Sequence, residues 1–325
     1  MDDVMGKVKE YKDIYPQLKK RLRWKVSDSR SLMMVASLYV TNERAFDLDR
    51  FVKISDYIKN EVGAFSTLKH EIRFTFAAML DTRFETPEAK FHEFLALYDS
   101  LVEAGFSRGT FTYIAAMTLL SNDDYSTDLS YHAMKIYKKM REQHFFLTGH
   151  SDYPFATLLA QREEDQEELI HTIEGFYTKL NDAGFRKGND LQSMSHILSL
   201  HDEVSQDELV TRCIHLFDTL KQAGIKTKAM FYPQIALLSF VNADLYLVNQ
   251  VKDVWEELNS EKHFKWHKDI NLMMAVNLLI SDKIENSTVM QASLSTAIET
   301  LIQAQQATMI ATISAVSVTT AGGDS

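Results

Sequence analysis

Apolar residues in this chain recur on two scales. On the short scale they lie three and four residues apart, as in Phe51, Ile54 and Ile58, or Ile14, Leu18 and Leu22. That spacing predicts amphipathic helices. On the long scale the pattern itself returns. Residues 101 to 124, LVEAGFSRGTFTYIAAMTLLSNDD, contain a helix end, a tight basic turn, a second apolar helix and an acidic turn. The residue closing the first helix of each copy is Trp24, Phe65, Phe106, Phe146, Phe185, Ile225 and Phe264, at spacings of 41, 41, 40, 39, 40 and 39. An apolar pair late in the second helix keeps the same phase: Leu38-Tyr39, Met79-Leu80, Leu119-Leu120, Leu158-Leu159, Ile197-Leu198, Leu237-Leu238 and Leu278-Leu279. A period of about 40 residues suits a helix pair with two turns. The expected fold is all-α, a solenoid of about seven helical hairpins over residues 1–286, followed by a separate apolar C-terminal helix and frayed tail over 287–325.

Local signals agree with this plan. The Ala-Gly-Phe turns at 104–106 and 183–185, and Ala-Gly-Ile at 223–225, place glycine where a helix end needs a left-handed residue. Thr86-Pro87-Glu88 reads as a helix start capped by Thr86, and Ser205-Gln206-Asp207-Glu208 as a capping box. Pro16 should interrupt or kink the first helix. The second helices are apolar almost all round, so they should be buried on more than one side.

Charge alternates between the two kinds of turn. Lys25, Lys69, Arg108, Arg186, Lys187, Lys226, Lys228, Lys265 and Lys268 follow first helices. Glu85, Asp123, Asp124, Glu163 to Asp165, Asp202, Glu203, Asp244 and Asp282 follow second helices. Stacked repeats would turn these into a basic and an acidic rim. The same charges also complement helix ends without any partner.

Polar residues gather at one place in the second helices. On the side away from the apolar pair, the middle copies carry Tyr153, Thr157, Gln192, His196 and Tyr232, with Asn277 beyond. These six could line a concave binding groove. Equally, they could be polar groups satisfied between packed helices. Tyrosine rings would supply contact area, and Gln192 and His196 hydrogen bonds.

Composition narrows the function. A net charge of −10 disfavours nucleic acid. Cys213 is the single cysteine, which removes an intramolecular disulfide and a thiolate metal cluster. The N-terminus lacks a signal-peptide core, so a cytoplasmic location is expected. No Walker, dinucleotide, serine-elbow or zinc-protease spacing occurs, and no cofactor, metal site or catalytic residue is expected. Residues 300 to 323 carry no charge. Their Gln, Ser and Thr content makes a poor membrane span, and a helix packing on the repeat end or self-associating through 287–320 fits better. The repeats, and above all the tail Ile302-Gln303-Ala304-Gln305-Gln306-Ala307-Thr308-Met309-Ile310-Ala311, resemble an uncharacterised family of Bacillus-type Firmicutes proteins, named only as a domain of unknown function. The resemblance implies a bacterial cytosolic protein and transfers no functional residue. The expected function is a non-enzymatic interaction protein that binds a peptide, protein segment or small ligand in its groove. The alternatives are an α/α-toroid enzyme with a central cavity around His196, and a self-assembling structural protein using the C-terminal helix.

Overall fold

The computed structural model describes the chain except residues 1, 121–126, 163, 242–244, 286–291 and 322–325, and the side chains of 2, 127, 285, 292–293 and 314–321. Every regular element among the described residues is helical. First and second helices alternate: α1 (Asp2–Leu22) and α2 (Ser29–Thr41), α3 (Leu48–Glu61) and α4 (Arg73–Arg83), α5 (Pro87–Glu103) and α6 (Thr110–Leu119), α7 (Thr127–Gln143) and α8 (Tyr153–Leu159). The series continues with α9 (Gln166–Asp182) and α10 (Asn189–Leu198), α11 (Gln206–Gln222) and α12 (Tyr232–Ser239), α13 (Leu245–Ser260) and α14 (Lys268–Glu285), and ends on α15 (Ala292–Ala321). The chain forms two compact units, one of Met1–Val8, Lys138–Gly149 and Arg162–Ile298, the other of Lys9–Tyr137, His150–Gln161 and Glu299–Ser325. The expected boundary at 287 lies outside the described residues.

Within each unit, first and second helices pack on one another in five of the pairs, α3 to α6 and α9 to α14, and α2, α6, α10 and α12 pack on the next second helix. In the second unit named, α3 packs on α4 and on α5, α4 on α2, and α6 on α5 and α8. In the first, α9 packs on α10 and α11, α10 on α12, α12 on α14, and α13 on α11 and α14. This like-on-like stacking is compatible with a helical-hairpin solenoid. Both members of all seven apolar pairs are at most 5% exposed, so the second helices carry the core. Burying each such side chain stabilises by about 1.5–3 kcal/mol.

The glycine turns close their helices in one way. Gly105, Gly184 and Gly224 have φ of 109°, 100° and 86°, which side chains rarely adopt. The following Phe106, Phe185 and Ile225 donate their N–H groups to Leu101, Leu180 and Leu220 O, each at 3.0 Å. This is the six-to-one bond of a Schellman end. The three apolar residues then fold inward and are buried. The equivalent Trp24, Phe65 and Phe146 do the opposite and stand 87%, 104% and 96% exposed.

Three local expectations need correcting. α1 runs through Pro16 without interruption, held by Tyr11, Ile14, Tyr15 and Leu18 in the core. Thr86 makes no side-chain cap bond, although Pro87 does open α5. Ser205 Oγ accepts from Glu208 N–H at 3.3 Å, but the Glu208 carboxylate takes Arg212 Nε at 3.0 Å, so a salt bridge engages the glutamate of the expected capping box.

α15 packs its apolar stripe within the chain. Ile298, Leu301, Ile302, Ala304, Ala307 and Ile310 are buried, while Met309, Thr308 and Ala311 are half-buried. Gln303 Nε2 donates to Asn42 Oδ1 just past α2. Among the described residues no helix is long and apolar enough to cross a membrane. Cys213 is buried, and burial pushes its thiol up to about 12.

Leu119 is fully buried on α6, the helix that packs on α5 and α8. Leu119→Ala should lower unfolding free energy by about 2–5 kcal/mol in urea titration; an unchanged midpoint would remove it from the core.

Candidate functional site

The six polar residues predicted to line a groove are all buried, from 0% exposed at Thr157 to 4% at Tyr232 and Asn277. They are therefore not an open surface. Three of them face a polar group in the turn of the preceding repeat. Tyr153 OH accepts Ser107 N–H at 3.3 Å, and Tyr232 OH accepts Arg186 N–H at 3.0 Å. Gln192 Nε2 donates to Thr148 Oγ1 at 2.7 Å. In each case the partner lies one or two residues past the marker aromatic of the preceding copy. The contact extends beyond these residues: Ser27 N–H donates to Glu71 at 2.8 Å, Ser66 and Tyr113 hydroxyls meet at 3.4 Å, and Lys228 Nζ bonds Asp269 at 2.6 Å. Six successive turns are thus held by the next second-helix segment. Thr118 and Thr157 hydroxyls pair at 2.7 Å between α6 and α8.

A second set of bonds runs along the opposite ends. Arg83 Nη1 donates to Met117 O at 2.8 Å, Arg162 Nη1 to Leu200 O at 2.9 Å, and Arg212 Nη1 to Ser239 O at 3.2 Å. These carbonyls lie at or just past the ends of α6, α10 and α12, where no intrahelical donor remains. Three of the acids read from the sequence, Glu85, Asp165 and Asp202, are engaged near these ends. Arg44 and Glu85 pair, Arg162 approaches Asp202 at 3.7 Å, and Asp165 caps α9 through Glu167 and Glu168 N–H. Asp123, Asp124, Glu163 and Asp244 lie outside the described residues.

His196 and Asn277 complete the set. Burial, then the neighbouring His144, pulls the His196 imidazole down to about 3. Asn277 Oδ1 is buried and accepts no hydrogen bond among the described residues.

An accessible site lies elsewhere. A cavity of about 450 Å³ opens between the first turns of α1 and helix α13. Val4, Met5, Val254 and Leu279 form its apolar part, and Asp253, Glu256 and Glu257 its acidic part. Gln250 also lines it, 4% exposed, and its Oε1 accepts no hydrogen bond among the described residues. Gln250, Asp253, Val254 and Glu257 share one face of α13 by their spacing of three, four and seven. That spacing was present in the sequence, but acids on an amphipathic helix look the same as an ordinary solvated face. One turn beyond Leu279, the Asp282 carboxyl is raised by burial and by its hydrogen bond to Asp3. Among the described residues no group of three His, Cys, Asp or Glu side chains is arranged to hold a metal ion.

Packed helix pairs with a small apolar cavity and an acidic mouth define an all-α protein, compatible with a helical-hairpin solenoid. Its sequence matches, over residues 14–307, the family described as protein of unknown function (DUF4003), and the chain belongs to that family. It is 39% identical over 316 residues to the uncharacterized protein YeaA of Bacillus subtilis (strain 168), covering 96% of this chain and 95% of the relative. No solved structure matches.

The depressed His196 titration fixes a pH dependence. The unfolded imidazole binds a proton near its ordinary value of 6.5, whereas the folded one resists down to about 3. Its stabilising contribution is complete above 6.5 and is lost as pH falls towards 3. Between pH 6.5 and 5 the loss should be about 2 kcal/mol. Urea titrations of wild type and His196→Gln should show a flatter acid limb in the variant; parallel limbs would refute the assignment.

Proposed function

We propose that this protein is a non-enzymatic helical-repeat interaction protein that binds a cationic, partly apolar segment of another polypeptide at α13. Gln250 carries the reading. A buried amide oxygen without a donor costs about 1–3 kcal/mol, and a ligand N–H reaching the cavity would recover it. The neighbouring Val254 and Leu279 offer contact to an aliphatic stem, while Asp253 and Glu256 are exposed at the mouth. Lys252 sits 3.9 Å from Glu256, too far to neutralise it strongly. A lysine or arginine side chain on an amphipathic helix has the matching form, an apolar stem with a charged head. The groove reading is thereby moved from the buried columns to α13. His196, the natural centre of an enzymatic reading, is 1% exposed and has another imidazole, His144, as its neighbour. Self-assembly through the tail would compete with the internal packing that already buries Ile302, Ala307 and Ile310.

The test uses a fluorescein-labelled amphipathic peptide of leucine and lysine and reads anisotropy. Wild type should bind it, more weakly as salt rises. Asp253→Lys with Glu256→Lys should raise Kd at least about tenfold, the loss of two rim attractions. Gln250→Leu should weaken binding with the melting temperature unchanged or higher, because an unsatisfied buried oxygen is removed. Equal Kd in wild type and the charge variant would sink the proposal.

A further inference from the structure

The end of α1 carries a feature the repeat pattern did not anticipate. Lys19, Lys20, Arg21, Arg23 and Lys25 stand within seven residues, with Trp24 among them. All six side chains are exposed. In a chain of net charge −10, these five cations form no ion pair among the described residues. Their close contacts are aromatic: Lys19 lies 5.5 Å from the Tyr15 ring and Arg23 5.1 Å from Trp24. Two acids that bond within or to this turn are already engaged. Asp28 takes Arg30 in a fork, and Glu71 accepts both the N–H and the hydroxyl of Ser27. Lys19, Lys20 and Arg21 lie in the last turn of α1, where cations complement the helix end; Arg23, Lys25 and the 87% exposed Trp24 lie beyond it.

The Ser27–Glu71 bonds tie this turn to the next one, which carries Gly63, Ala64 and Phe65. That tip is exposed and uncharged, with Phe65 at 104%. One unit therefore presents, on consecutive turns of the same kind, a cationic tip with tryptophan and a neutral apolar tip with phenylalanine. A solvent-facing role gives no reason for either ring to be outside, since exposed aromatics cost apolar hydration. A nucleic acid would use the cations and could stack on the rings, but it gains little from the glycine-alanine backbone beside Phe65. A bilayer surface uses everything present: anionic headgroups for the cations, the interfacial layer for Trp24, and the acyl boundary for the Ala64-Phe65 tip.

We propose that the tips at residues 19–25 and 63–65 form a peripheral docking surface for anionic phospholipid membranes. The surface rests on the bilayer without spanning it. It is separate from the cavity at α13, so either proposal can fail alone.

Vesicle co-sedimentation of the full chain tests it. Vesicles of phosphatidylglycerol and phosphatidylcholine should sediment the protein at low salt, and pure phosphatidylcholine vesicles should not. The triple substitution Lys20→Gln, Arg21→Gln and Arg23→Gln should weaken partitioning about a hundredfold, from the attraction each cation has for an anionic surface. Trp24→Ser with Phe65→Ser should also weaken it, through lost insertion and with all cations kept. Both variants change exposed side chains only, and unchanged circular dichroism melts verify folding. Failure of wild type to sediment with anionic vesicles overturns the proposal, as does binding unaffected by both variants. Preferential binding of an oligouridylate, lost in the same variants, would assign the surface to nucleic acid and equally overturn it.

Discussion

The structure depends on a hydrogen bond that crosses from one repeat to the next. After each first helix the chain must turn, and the turn leaves polar groups that its own helix cannot satisfy. The following second-helix segment supplies the partner, as Tyr153 does for Ser107 and Tyr232 for Arg186. A typical bond of this kind is worth about 0.5–1.5 kcal/mol net. Its larger effect is on register. Apolar surfaces slide past one another at little cost, whereas a hydroxyl aimed at one N–H has a single satisfied position. Leucine pairs drive the second helices together, and the polar contacts fix where they stop.

This division explains why buried polar residues occur in helices that are otherwise apolar all round. Thr118 and Thr157, on α6 and α8, meet each other rather than solvent. The arginines serve the other end of the same helices, donating to carbonyls left open where each helix stops. Arg83 does so at a cost visible in its own titration, which burial pulls down to about 10. Beside these contacts some buried amide oxygens accept no hydrogen bond among the described residues, at Gln192, Gln234 and Asn277 as well as Gln250. Among the described residues, Gln250 Oε1 lines a cavity without accepting a hydrogen bond, and the cations around Trp24 form no ion pair.

The turns at Trp24 and Phe65 differ from most other copies in one respect: an apolar marker that those copies keep inside is left open to the outside. Phe106, Phe185 and Ile225 fold under a glycine turn with positive φ, and no such turn precedes Trp24, Phe65 or Phe146. The Schellman closure carries the apolar marker inward in three copies, whereas Phe264 is buried without such a glycine turn. The repeat thus tolerates variation at its turns, where little core is at stake, and function has room to develop there.

Helix content, the forty-residue phase, the buried apolar pairs and the glycine turns were legible in the sequence, because each rests on contacts within a few residues or on a period that repeats seven times. The sequence also showed that Tyr153, Thr157, Gln192, His196, Tyr232 and Asn277 share a side of their helices. It could not show what stood opposite. Helical periodicity reports direction around an axis, not the identity of the neighbour, and a tyrosine facing a groove looks the same as one facing a turn 46 residues earlier. Tertiary structure decided that question by bringing Ser107 and Arg186 to those hydroxyls. It likewise separated Gln250 and the acids of α13 from an ordinary solvated face, since only the arrival of α1 and α14 makes that face into a cavity. The run at residues 19–25 was readable as a local excess of cations, with no acid three or four residues from Lys19, Lys20, Arg21 or Arg23. Only the folded chain shows that no distant acid among the described residues reaches them, and that the apolar tip at Phe65 is tied in beside them.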